Sequence, residues 1–88
     1  MKSTIEKLIE MLEKFFKGEY DPWQFSCDFP DFCFENYDNL ETECKGLGYY
    51  LDQEVPDICD EGEPGFDPTH MKEELQKVYQ KVKFFINN

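Results

Sequence analysis

Apolar residues recur along this chain at helical spacing, and no run alternates apolar with polar residues as a half-buried strand would. Near the start, Ile5, Leu8, Ile9, Leu12 and Phe16 step along one face, and Met11 and Phe15 widen the stripe. Ser3 and Glu6 form an S-x-x-E capping box ahead of it, each able to satisfy the other's free backbone N–H. Glu10–Lys14 and Glu13–Lys17 are oriented as i,i+4 ion pairs on the outer side. Gly18 is placed to end this first helix in a left-handed cap.

Asp21-Pro22 is a second start signal, with Asp as N-cap and Pro at the first helical position. Pro30 then interrupts the segment, because proline removes a helical hydrogen bond and restricts the residue before it. The pattern predicts a short helix from Pro22 to about Cys27 and a piece from about Phe29 to Glu35, broken or kinked at Pro30, with Asp28 placed to cap the second piece. Tyr37, Leu40, Cys44, Leu47, Leu51 and Val55 step by three and four, which predicts a third helix that Pro56 stops near Glu54. Gly46 and Gly48 fall inside that stripe and read as positions of close helix packing, with a break as the alternative. Asp67-Pro68 repeats the start signal ahead of Met71, Leu75, Val78, Tyr79, Val82, Phe85 and Ile86. The expectation is an all-α protein: a small antiparallel four-helix bundle, one domain over residues 1–88.

Composition supports a folded core. Of 88 residues, 15 are Phe, Tyr or Trp, and each buried ring removes roughly 150–250 Å² from water. Glu or Lys at every third or fourth position near the N-terminus leaves no apolar run suited to a signal peptide or a membrane span, so a cytoplasmic location without membrane contact is expected. Cys27, Cys33, Cys44 and Cys59 are 6, 11 and 15 positions apart, with no CxxC pair and a single histidine, His70. That spacing argues against a metal site, and the cysteines read as small buried apolar residues.

Charge changes the picture most. The net charge is −11, and residues 18–70 hold fifteen Asp and Glu against the single Lys45, whereas both ends are slightly basic. Such a field repels nucleic acid and anionic lipid and attracts a strongly basic surface. There is no arginine, hence no bidentate phosphate recognition.

Catalytic patterns are missing. The histidine falls in the first turn of the last helix, Gly46-Leu47-Gly48 lacks the rest of a phosphate loop, and "DICDEGEPGFD" fails the EF-hand register at its third and twelfth positions. The reading is a binding protein, with no catalytic residue, no metal and no cofactor. Asp21 and Asp67 are accounted for as N-caps, and Glu41 and Glu43 as solvent-face charges. Glu54, Asp57, Asp60, Glu61 and Glu63 remain, crowded around one loop between helices with no neighbouring cation, and they become the expected partner-binding residues.

The order of "FFKGEY", "DPWQFSCDFPDFCFENYDNL", "LDQEVPDICDEGEPGFD" and a Lys-rich last helix resembles the small bacterial immunity proteins related to the colicin D immunity protein, including forms paired with contact-dependent growth inhibition toxins. The resemblance covers nearly the whole chain. It implies a four-helix protein that binds a basic nuclease toxin domain, typically a tRNase, as a monomer in a 1:1 complex. It also implies that Glu54, Asp57, Asp60 and Glu61, with Glu63 beside them, stand in for RNA phosphates over the active site. The alternatives are a nucleic-acid mimic directed at another nuclease, and an acidic helical structural or regulatory module.

Overall fold

The computed structural model describes residues 3–59 and 69–87, with 57 and 59 described by backbone alone. The described residues are helical and contain no strand. Five helices follow in order: α1 (Thr4–Phe16), α2 (Pro22–Glu35), α3 (Tyr37–Glu43), α4 (Leu47–Cys59) and α5 (Thr69–Ile86). The expected four-helix bundle is therefore corrected to five helices.

The first helix is as its local signals predict. Ser3 Oγ accepts from the Glu6 N–H at 3.1 Å, and Gly18 takes a left-handed φ of 79° after the last turn. Glu10 pairs with Lys14 at 3.5 Å, whereas Glu13 accepts from the Tyr79 hydroxyl of α5 at 3.1 Å. Asp21 caps α2 through the Gln24 N–H, with Pro22 at the first helical position.

Pro30 does not break α2, which runs on to Glu35. An interior proline costs about 3 kcal/mol or more. Packing offsets it: Phe25 and Phe29 are fully buried and stacked at 4.7 Å, and Phe15 of α1 stacks on Phe25 at 4.6 Å. Each buried Phe contributes about 1.5–3 kcal/mol, available only while the helix keeps both rings on one face. Asp28 is consequently mid-helix and caps nothing. It accepts from the Tyr20 hydroxyl and from Gln24 Nε2.

The predicted third helix is two helices. Cys44 is extended and Gly46 adopts φ 91°, a left-handed conformation that ends one axis and starts another. The apolar stripe continues across the break because Leu40, Leu47, Leu51 and Val55 all point into the same core. Gly48 is the close-packing glycine: a Cβ there would lie 2.8 Å from Glu41 Cγ and 3.0 Å from the Tyr37 carbonyl oxygen. Pro56 does not stop α4 at Glu54 either. The helix continues to Cys59, with Val55 fully buried and Ile58 packed on the core.

All five helices feed one apolar cluster, and α4 packs against α2, α3 and α5 while α1 covers α2, α3 and α5. Met71, Leu75, Val78 and Val82 supply the buried face of α5 and Tyr79 and Phe85 pack at its edge, as the stripe predicts, whereas Ile86 at the end of the helix is exposed. The Asp67-Pro68 start signal lies outside the described residues.

Candidate functional site: an acidic groove between α2 and α4

Four carboxylates of the acidic middle segment hold the fold together. Besides Asp21 and Asp28, these are Glu41 and Glu43, expected to be idle surface charges. Glu41 Oε2 accepts from the Gly46 and Gly48 N–H groups at 2.6 and 3.2 Å, so the end of α3 caps the start of α4. Glu43 reaches α1, accepting from the Thr4 and Ile5 N–H groups at 3.1 and 3.2 Å. Both carboxylates sit where free N–H groups and the helix dipole favour negative charge. Desolvation pushes the Glu43 carboxyl up, but the hydrogen bonds from Ile5, Thr4 and Ser3 together outweigh it and hold the group below its ordinary value.

The other acids face outward. Asp31, Asp38, Asp52 and Glu54 are all exposed, and none makes a side-chain hydrogen bond or ion pair among the described residues. Asp31 and Asp52 flank a groove of about 260 Å³ between α2 and α4, whose other lining residues are Pro30, Cys33, Phe34, Leu51, Val55 and Pro56. The two interior prolines thus line the same groove from different helices. Pro56 also leaves the Asp52 carbonyl without the N–H that a helix normally supplies four residues on.

Exposed aromatic rings accompany these acids. Phe34 is 78% exposed and Tyr49 is 60% exposed. Tyr49, Asp52 and Pro56 follow at i, i+3 and i+7, one stripe along α4. Tyr37 lies close enough that its phenol is pushed above its ordinary value, by desolvation first and then by Glu41, Asp52, Tyr49 and Asp38. Aromatic rings ringed by charge are the residue types that dominate binding at protein interfaces. Another exposed ring among the described residues, Phe84 of α5, has a different setting: the Lys81 ammonium lies 5.4 Å from its centre, and Lys77 adjoins the same hollow.

The expected site residues divide. Glu54 is exposed on α4, near enough to Tyr50 to add to desolvation in pushing that phenol up. Because Tyr50 packs on Phe85 of α5, Glu54 belongs to the α5 side, some 200° around the helix from Asp52 at 3.6 residues per turn. Asp57 lies in the last turn of α4, three positions from Glu54. Asp60, Glu61 and Glu63 lie outside the described residues, as does Phe66, a candidate apolar anchor. Among the other candidate anchors, Tyr50 and Ile58 pack on the core and Tyr49 is exposed.

Asp31, Phe34 and Asp52 are the residues that sequence reasoning missed. A signal existed: in an unbroken helix Phe34 lies nine residues, or two and a half turns, from buried Phe25 and so faces the other way. Reading Pro30 as a break hid that phase. The cysteines also split, Cys33 being buried while Cys27 is exposed, which corrects the expectation that all are core residues. His70 is exposed in the first turn of α5, as expected. Among the described residues no group of His, Cys, Asp and Glu is arranged to hold a metal ion, and no helix is long and apolar enough to cross a membrane. Family models, curated proteins and solved structures give no match to this chain.

Proposed function

We propose that this protein is an inhibitor of a basic nuclease toxin, an immunity protein of the kind related to the colicin D immunity protein, acting by occlusion and not by catalysis. The observation that carries the reading is the outward placement of Asp31, Asp38 and Asp52, without cationic partners among the described residues, together with the exposed Phe34 and Tyr49, and of Glu54 on another side of α4. Unrelieved carboxylates raise the self-repulsion of a chain already at −11. A cationic partner surface reverses that cost.

In this reading the carboxylates engage the Lys, Arg and His side chains with which a ribonuclease cleft holds phosphates, and the helical body excludes the RNA. Glu54 supplies one acidic contact on α4, and Asp57, Asp60, Glu61 and Glu63, which follow it in the sequence, are the further carboxylates expected to engage the partner. The α2–α4 face supplies a second with apolar anchors. Electrostatic steering brings such pairs together at up to about 10⁸–10⁹ M⁻¹s⁻¹ at low salt, which suits the interception of a lethal enzyme.

The test is co-expression with the product of the neighbouring reading frame, followed by co-purification and a growth assay. A basic nuclease domain that co-purifies, and whose toxicity this chain relieves, supports the reading. It requires that D57K/E61K or D31N/D52N weaken the complex while leaving the isolated fold intact. A neighbouring product that is neither bound nor neutralised ends it.

A further inference from the structure

We infer that the groove between α2 and α4 is the receptor for one arginine side chain of a basic protein partner, its stem on the apolar floor and its guanidinium between Asp31 and Asp52. The inference rests on the reading of this protein as a binder of a basic protein and assigns what one part of its surface holds.

Size comes first. The groove holds about 260 Å³, below the roughly 300–1,000 Å³ of small-molecule sites, which suits a single side chain. Its accessible apolar surface comes from Pro30, Cys33 and Pro56, with the fully buried Leu51 and Val55 behind them, and matches the methylene stem of a long cation. Its rim is anionic on both helices, through Asp31 and Asp52, and among the described residues no Lys lines it.

Phe34 decides between the cations. Its ring is 78% exposed at the groove with no ring or cation contact among the described residues. The chain's own lysines sit on rings elsewhere, Lys81 over Phe84 at 5.4 Å and Lys83 over Tyr79 at 5.4 Å, so this surface chemistry is already in use on α5. Both cations can lie over a ring and donate to two carboxylates, but only the flat guanidinium of arginine can stack face to face on the ring while its in-plane N–H groups donate as a fork to the carboxylates beside it.

The test uses the whole protein, ¹⁵N-labelled, titrated with N-acetyl-arginine methylamide. The citrulline analogue, neutral and of the same shape, and the lysine analogue are titrated in parallel. Amide shifts that saturate and concentrate at Asp31, Phe34, Asp52 and Val55 with arginine, weaken with lysine and vanish with citrulline support the assignment. D31N and D52N are each expected to weaken binding about threefold, the scale of one surface ion pair, and F34A to erase the preference for arginine over lysine. Far-ultraviolet circular dichroism checks that each variant is folded. Shifts as large at Glu19 and Glu73 as in the groove, or an F34A/D52N double variant that titrates like wild type, overturn it. The two readings fail separately. Arginine binding in the groove with no toxin neutralised leaves this inference standing and removes the toxin reading, whereas a toxin bound equally well by F34A/D52N does the reverse.

Discussion

Replacing Glu41 by alanine should destabilise this protein by about 2 kcal/mol, although nothing in its local sequence marks it as important. Its carboxylate takes two N–H groups, those of Gly46 and Gly48, at the start of α4. Loss of an N-cap acceptor costs about 0.5–2 kcal/mol, and loss of negative charge at a helix N-terminus adds about 0.3–1 kcal/mol. Since α4 packs on three other helices, fraying its first turn is felt globally. For a domain this size, 2 kcal/mol lowers Tm by about 8–16 °C. Glu41→Gln keeps an acceptor and loses only the charge, so it should cost about 0.5–1 kcal/mol. Urea denaturation with an unchanged m value measures both, and amide exchange at Gly46 and Gly48 should accelerate in the alanine variant. Gly48→Ala supplies a coupled check. Its Cβ would press on Glu41 Cγ at 2.8 Å, costing about 1–3 kcal/mol against about 1 kcal/mol of gained helix propensity. That net cost should shrink when Glu41 is already alanine. An E41A midpoint within about 0.5 kcal/mol of wild type, the ordinary range for a surface change, would refute the capping role.

Two further predictions concern pH. The Glu43 carboxyl is held below its ordinary value of 4.5, so its contribution is present above that value and lost as pH falls through the lower folded-state value. The stability gap between wild type and E43Q, followed by urea midpoints, should therefore narrow below about pH 4.5 and stay constant above pH 6. At the other extreme, desolvation and the hydrogen bond to Asp28 push the Tyr20 phenol from 10.0 up to about 12. A raised folded-state value means that this contribution is intact below pH 10 and disappears as pH rises towards 12. Wild type should lose stability across that window more steeply than Y20F, and parallel alkaline melts would sink the assignment.

What was legible in the sequence was whatever local contacts decide. The first helix, the Asp21 cap and the buried face of α5 follow from signals within a few residues of each other, and all three stand. The misreadings share one cause, which is that distant packing overrode a local rule. Pro30 and Pro56 are poor helix residues, yet Phe29 and Val55 beside them are fully buried, and the helix that buries them persists. The Gly46 break was masked by a stripe that keeps its phase on either side, because α3 and α4 line the same core. Its true mark was a left-handed glycine without a neighbouring Ser, Thr, Asp or Asn cap, the acceptor coming instead from Glu41 five residues earlier. Glu43 capping α1 spans 38 residues and leaves no local trace. The groove was hidden for the same reason, since its two walls are the stretches that the prolines were expected to break.

These assignments divide the acids into two sets whose substitutions should act in opposite directions, and that division is itself testable. Asp21, Glu41 and Glu43 accept from helix N-termini, so removing their charge removes stability. Asp31, Asp38 and Asp52 are exposed and repel one another, so neutralising them should leave Tm unchanged or raise it, most visibly at low ionic strength where the Debye length is about 30 Å. Function should follow the reverse order. D31N/D52N should melt no lower than wild type and lose affinity for arginine, whereas E41A should melt far lower and, held well below its melting range, bind as wild type does. A single set of melts and titrations on these two variants decides the matter. If D31N/D52N also unfolds at lower temperature, its carboxylates carry structural work, and the excess charge of the middle segment no longer needs a partner to explain it.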